Sequence, residues 1–253
     1  MIRQSSIINR QYSIKKVALF IQCLVDIMFP EVGEAMIQIF DKLGIPVSCP
    51  VDQTCCGQSA FNSGYRDEAK VAARRFVEVF ENADYIVCPS GSCTMMVRLH
   101  YPELFHNDHK WLERIRHVSS KTFELTEFLV DVMEVEDLGA CFNGKITYHD
   151  SCHPLRGLEI SEQPRKLINK VKGVELIEMK DSDRCCGFGG AFSVKYPEIS
   201  TSILKDKVTN IVNSGADVVV GCDIGCLMNI QGMLCRMGSP IKTMHIAQLL
   251  AGV

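Results

Sequence analysis

Short apolar runs alternate with longer stretches of helical spacing along nearly the whole chain. "VALFI" (17–21), "IPVSC" (45–49) and "DYIVCP" (84–89) read as strands, while "GEAMIQIFDKLG" (33–44) and "RDEAKVAARRFVEVFENA" (66–83) space their apolar positions as amphipathic helices do. A further helix seed begins near Phe123. The alternation resumes with helices over "EQPRKLINKVKG" (162–173) and "EISTSILKDKVTNIVNSG" (198–215), and strands over "VELIEM" (174–179) and "DVVVGC" (217–222). Such a pattern predicts an α/β fold with parallel sheets covered on both faces.

The second run of elements is a copy of the first. "KKVALFIQCLVD" (15–26) overlays "GKITYHDSCHPL" (144–155), setting Cys23 opposite Cys152. Two CCG triplets follow: 31 residues separate Cys23 from Cys55 and 32 separate Cys152 from Cys185. "ADYIVCPSGSC" (83–93) lies over "ADVVVGCDIGC" (216–226) without a gap, pairing Cys93 with Cys226, and "FELTEFLVD" (123–131) matches "MHIAQLLAG" (244–252) in apolar pattern. The expected architecture is two tandem Rossmann-like lobes, residues 14–136 and 137–253, related by internal duplication.

Composition narrows the class of protein. Hydrophobic residues make up 47% and charged residues 23% of the 253, as in a folded soluble chain, and a net charge of −3 supplies no basic excess for nucleic acid. Thirteen cysteines are the outlying feature. A secreted disulfide framework expects a short chain and an even count. Here the segment up to Lys16 is basic and polar, and the apolar run Val17–Val25 meets Asp26 rather than a small-residue cleavage site. No apolar stretch approaches the ~20 residues of a membrane span. A reducing cytoplasm is the expected compartment.

The positions of the repeated cysteines carry the candidate chemistry. Cys23 and Cys152 sit at predicted strand ends, Cys93 and Cys226 just after strands, and Cys55-Cys56 and Cys185-Cys186 in strand-to-helix loops. Loops at the carboxyl ends of parallel strands are where such sheets bind ligands. Convergent thiolates suit zinc or iron-sulfur groups. Structural zinc favours C-x2-C pairs, whereas adjacent cysteines diverge and reach a larger multi-iron cluster more readily, with Gly57 and Gly187 relieving the turn. Cys88 and Cys222 have no matching cysteine in the overlay and are candidate additional ligands. Cys49, Cys141 and Cys235 read as buried structural thiols.

Other features yield to plainer readings. "CGFGGAF" (186–192) lacks the full G-x-G-x-x-G spacing and the later acidic residue of a dinucleotide site, so a turn cradling sulfur with backbone N–H groups accounts for it better. His149 and His153 flank Cys152 and are candidate hydrogen-bond donors to a bound group or members of a mixed Cys/His zinc site. His100, His106, His109 and His117 fall in a polar linker without a repeat partner and read as surface.

The repeated pattern resembles the cysteine-rich CCG domain of heterodisulfide reductase, in which a cysteine, a Cys-Cys pair and a C-x-x-C pair follow at comparable intervals. "CCGQSAFNSGY" (55–65), "PSGSC" (89–93), "CCGFGGAFSVK" (185–195), "GCLMNI" (225–230) and "MHIAQLL" (244–250) are similar to segments of a branch of that family serving L-lactate oxidation. The resemblance implies an oxidoreductase component: an iron-sulfur electron-transfer subunit of a multi-protein system that converts L-lactate to pyruvate. Its partners would be other subunits of that complex, including a ferredoxin-type iron-sulfur protein. It also implies 4Fe-4S clusters of noncubane type, with Cys23, Cys55, Cys56 and Cys93 holding one and Cys152, Cys185, Cys186 and Cys226 another. Neither half has a true C-x-x-C, which leaves the cluster type open, and whether the chain holds one or two. Two other readings stand beside this one: a thiol/disulfide redox subunit like the reductase, and a zinc-stabilised scaffold without enzymatic activity.

Overall fold

A computed structural model of the protein describes residues 16–252; the residues before Lys16, including the first two of the expected 14–136 lobe, and Val253 lie outside the described residues. The first sheet comprises β1 (Val17–Leu19), β2 (Val47–Ser48), β3 (Tyr85–Cys88) and β4 (Thr122–Glu124) in the order β2-β1-β3-β4. The second comprises β5 (Cys141–Tyr148), β6 (Lys172–Leu176), β7 (Val218–Gly221) and β8 (Lys242–His245) in the order β6-β5-β7-β8. Every pairing is parallel and the two orders correspond strand for strand, so the chain adopts the expected α/β fold of two similar lobes.

Two features depart from the sequence reading. β4 and β8 are short and mixed in polarity, and the apolar pattern after each belongs to the helix that it feeds, so neither stood out as a strand. Residues 96–119 are not a polar linker but a π-helical turn (Met96–His100), a short helix (Tyr101–Leu104) and a longer one (His109–Ser119). Leu112, Ile115 and Val118 bury one face of that last helix, a stripe too narrow to stand out among its charges. His106, His109 and His117 are exposed as expected, whereas His100 is half-buried and lies 4.5 Å from the Phe61 ring centre.

Strand alternation divides the core. Val17 and Leu19 of β1, Ile146 and Tyr148 of β5, and Val218 and Val220 of β7 all enter one core shared by both lobes. Ala18 and Phe20 point the other way, beneath helices 66–80 and 109–119 through Phe76, Val77, Phe80 and Ile115. Val219 likewise lies beneath helices 197–214 and 224–236 through Leu204, Val208, Ile211 and Ile230. Each sheet therefore has an inner face turned to the other lobe and an outer face covered by its own helices.

The seam between lobes is reciprocal. Helix Pro30–Lys42 packs against the closing helix Ile246–Ala251 of the second lobe, and its counterpart Glu162–Ile168 packs against Leu125–Val132, which closes the first. Lys42 Nζ caps the far closing helix by donating to the Ala251 carbonyl at 2.6 Å. Among the described residues no helix is long and apolar enough to cross a membrane.

Equivalent buried residues start the two closing helices. Glu124 accepts from the Thr126 and Glu127 backbone N–H groups through Oε2, while His245 accepts from Ala247 N through Nδ1. His245 Nε2 is thereby left to donate to the Pro89 and Cys222 carbonyls at 3.1 and 3.0 Å, joining the lobes. Glu124 Oε1 is buried without a partner, and burial raises this carboxyl to about 7. Because the folded chain favours the neutral acid, its contribution is complete below the unfolded carboxyl value of about 4.3 and is lost as pH climbs to the folded value. Urea unfolding should accordingly show stability falling by roughly 1–3 kcal/mol between pH 5 and pH 8 from this residue. Glu124→Gln, neutral throughout, should flatten that decline; an unchanged slope would show the carboxyl ionising freely.

Candidate metal centre

The first group of thiols gathers at the carboxyl ends of β1, β2 and β3. Cys23 opens helix Cys23–Met28, whose N-cap Gln22 accepts from the Leu24 and Val25 N–H groups and so fixes the turn carrying the sulfur. Cys93 lies in the first turn of helix Gly91–Met95, where its N–H is capped by Ser90 Oγ at 3.2 Å. The Cys55-Cys56-Gly57 loop lies between them. Cys23 Sγ is 3.6 Å from Cys55 Sγ, and Cys56 Sγ is 3.3 Å from Cys93 Sγ. Cys88, buried on the outer face of the sheet, is within hydrogen-bond reach of Cys93. The buried Tyr101 hydroxyl holds the Cys56 carbonyl at 2.8 Å.

The second group repeats this arrangement. Cys152 opens helix Cys152–Gly157 and meets Cys185, and Cys226 lies in the first turn of helix Ile224–Arg236 and meets Cys186. Donor atoms of Cys186, Cys226 and His149 all lie within 4.8 Å of one another. Asn229 Nδ2 donates to the Cys186 carbonyl at 2.9 Å, doing what Tyr101 does in the first lobe. Lys207 is fully buried and its Nζ donates to the Asp181 and Ser182 carbonyls at 3.0 and 2.9 Å, pinning the approach to the second CCG loop. Burial lowers that ammonium to about 8.

Both CCG turns need their glycine for two reasons. Gly57 and Gly187 have φ of +80° and +77°, a left-handed conformation costly for other residues, and each aims its N–H at the first thiol of its pair, at 3.4 and 3.3 Å. A Cβ would also meet Ala72 Cβ at 2.9 Å in the first case and the Ser200 carbonyl oxygen at 2.5 Å in the second.

The electrostatics within each group are strongly polarised. Cys55 and Cys185 are pulled far below the usual thiol range, first by hydrogen bonds from Cys23 and Cys152 and then by those from Cys56 and Cys186. Cys93 is lowered to about 5 by hydrogen bonds from Cys56 and Cys88, and Cys226 to about 6 by that from Cys186. The donor thiols Cys23, Cys56, Cys152 and Cys186 are raised correspondingly. Thiolates form where donors converge, and this soft, anionic set fits iron-sulfur or zinc chemistry on its own geometry.

The remaining cysteines separate clearly. Cys222 is buried in the shared inner core beside Tyr148, since it follows Gly221, the true counterpart of Cys88, and strand alternation turns it to the opposite face. Cys49, Cys141 and Cys235 are exposed, correcting the reading of buried structural thiols. Cys49 and Cys235 instead accept from the side chains of Gln53 and Gln231 at 3.4 and 3.3 Å. His153 Nδ1 lies 3.7 Å from Cys152 Sγ. Lys207, Asn229 and Tyr101 were not singled out in the sequence, because a lysine on an amphipathic helix carries no sign of its burial.

The two groups face each other across the seam. Helix 91–95 lies against helix 152–157 so closely that a Cβ on Gly91 would stand 2.5 Å from Pro154, and one on Gly157 2.4 Å from Met95 Sδ. Between them Asp223 Oδ1 accepts from Ser90 Oγ at 2.7 Å, Ser92 Oγ at 2.9 Å and Ser92 N at 3.2 Å, while Oδ2 is buried without a partner. Ser90 and Asp223 are equivalent positions of the repeat, so this contact joins matching points of the two lobes.

A family model described as the CCG cysteine-rich domain matches residues 17–98 and 146–231, one copy per lobe. The chain belongs to the CCG cysteine-rich domain family. Among similar proteins, Lactate utilization protein A of an Exiguobacterium species is 51% identical over 236 residues, covering 92% of this chain and 96% of that protein. Lactate utilization protein A of Bacillus subtilis is 47% identical over 235 residues, covering 93% of this chain and 98% of that protein. A crystal structure of a hypothetical protein from Helicobacter pylori shares the fold with a TM-score of 0.65 at 12% identity, covering 93% of this chain. The chain spans about half of that longer one, 48% of its length.

For this CCG-family chain, the tight turn at Gly187 yields a direct test. Gly187→Ala should destabilise by at least ~2 kcal/mol, combining left-handed strain with overpacking against Ser200. Gly44→Ala, with φ of +69° and nothing within 4 Å of the added carbon, should suffer the strain alone. Equal losses in urea titrations of the two variants would refute the close approach.

Proposed function

We propose that the chain is an iron-sulfur electron-transfer subunit of a multi-protein system oxidising L-lactate to pyruvate. The names of its relatives support lactate utilization, and the paired thiols at 3.6 and 3.3 Å in the first lobe, with Cys152 beside Cys185 and Cys186 beside Cys226 in the second, are the observation that carries an iron-sulfur reading. Cys23, Cys55, Cys56 and Cys93 would hold one 4Fe-4S group and Cys152, Cys185, Cys186 and Cys226 the other, with residues 14–136 and 137–253 as the two carriers. Each group would supply one-electron acceptance and release.

The chain's own residues would hold and tune those groups. Gly57 and Gly187 direct N–H dipoles at sulfur, Lys207 anchors the second loop by two carbonyls, and Asp223 places a carboxyl between the sites. Hydrogen bonds to sulfur and burial are the levers that set a cluster potential. The helices on which Cys93 and Cys152 ride pack against one another, which favours exchange between the groups. Lactate would be engaged by another subunit, and electrons would reach or leave this one through a ferredoxin-type partner.

Anaerobic purification should give a brown protein containing iron and acid-labile sulfide. Cys56→Ser and Cys186→Ser should each remove about half of the iron, the variants remaining folded by circular dichroism. Colourless protein with zinc alone would overturn the reading in favour of a structural metal site.

A further inference from the structure

The two lobes differ at the residue that follows the first strand of each, β1 and β5. In the overlay Phe20 is the counterpart of His149. Phe20 is fully buried and sits edge-on to Phe76 and Phe80, with ring centres 5.0 and 5.6 Å away. His149 is equally buried, and neither Nδ1 nor Nε2 meets a partner in full hydrogen-bond geometry; the polar neighbour of the ring is the Cys226 thiol, which it helps to hold low. Leaving a buried polar atom unsatisfied is costly, and a phenylalanine would fill the space without that cost, as its counterpart does. The imidazole is aimed at a group: its donor atom lies with Cys186 Sγ and Cys226 Sγ in a set spanning no more than 4.8 Å.

A complementary difference lies one strand away. Cys88, at the end of β3, adds a fifth thiol beside Cys93, and its counterpart at the end of β7 is Gly221. Gly221 is next to His149: the His149 N–H donates to the Val220 carbonyl at 2.8 Å, and a Cβ on Gly221 would lie 3.6 Å from the His149 carbonyl oxygen. The second lobe thus lacks the extra sulfur on β7 and carries a nitrogen donor just past the end of the neighbouring β5. Cys222 does not restore the sulfur, because it enters the inner core.

We propose that His149 is an imidazole ligand of the second site, so that the chain holds one all-thiolate group and one mixed thiolate-imidazole group. The inference rests on the reading that the lobes carry iron-sulfur groups. A neutral imidazole in place of an anionic thiolate leaves the second group less negative and raises its reduction potential above that of the first. The first lobe then serves as the donor and the second as the acceptor when electrons cross the seam.

Pulsed electron paramagnetic resonance on the anaerobically purified full chain tests this in whichever redox state is paramagnetic. The native protein should display a nitrogen coupling that changes on labelling with 15N-histidine. His149→Phe, which copies the first lobe, should lose it while remaining folded, and His153→Phe should keep it. In a redox titration the native chain should give two separated midpoints, and His149→Cys should lower the higher one toward the other. Absence of a histidine coupling in iron-loaded protein, its survival in His149→Phe or its loss in His153→Phe would overturn the ligand assignment and leave the iron-sulfur reading intact. Protein with zinc and no iron would sink the iron-sulfur reading instead. X-ray absorption at the zinc edge would then decide on His149, a nitrogen lost in His149→Phe supporting it and an all-sulfur shell overturning it.

Discussion

Helix 30–42 of the first lobe is covered by helix 246–251 of the second, and helix 162–168 of the second by the 125–132 segment of the first. This exchange makes the inner face of each sheet the partner of the other. Val17, Leu19, Ile146, Tyr148, Val218 and Val220 share a single core, and a lobe by itself would expose its half of it. Each Å² of apolar surface so exposed would cost about 25 cal/mol. The cysteine sites inherit their positions from this seam. Cys93 and Cys152 ride on helices pressed together across it, and Asp223 bonds to Ser90 and Ser92 between them.

Within that symmetric frame the surroundings of the two sites have diverged. The first lobe lines its outer face with Phe20, Phe76 and Phe80, adds Cys88, and secures its CCG carbonyl with Tyr101. The second has His149, Gly221 and Asn229 in the corresponding roles, and a buried lysine behind its loop. Thiol geometry is preserved while polarity and donor type change. A duplicated scaffold of this kind suits two related groups of different potential, since charge and hydrogen bonding near sulfur set that quantity.

The seam also contains two fully buried titratable groups besides the cysteines. Glu124 and His245 cap equivalent helices, but the histidine bridges two carbonyls whereas the carboxyl leaves an oxygen unpaired. A cation-capable ring and an acid at equivalent points break the symmetry of the interface just where the lobes meet. Their opposite responses to burial, the acid pushed up and the histidine pushed down, both favour the neutral forms.

Much of the molecule was legible from residue order, because side-chain period and repetition are local properties. Alternation of strand and helix predicted the α/β lobes, and the overlay predicted the equivalence of the eight repeated cysteines. β4, β8 and helix 109–119 escaped notice, being short or highly charged elements whose burial depends on neighbours distant in sequence. The exposure of Cys49, Cys141 and Cys235 escaped for the same reason. Which face of its sheet each residue meets was decided only in three dimensions. Cys88 and Cys222 look alike as cysteines a few residues before a repeated one, yet a single-residue offset turns the first toward Cys93 and the second into the inner core. His149 and Phe20 likewise differ in kind in the sequence, but only packing revealed that one ring is satisfied by aromatic neighbours and the other lies beside two thiols. Residue order determined the scaffold and its sulfur, and tertiary contact determined which side chains surround that sulfur, because a pleated strand assigns neighbours by register and not by distance along the chain.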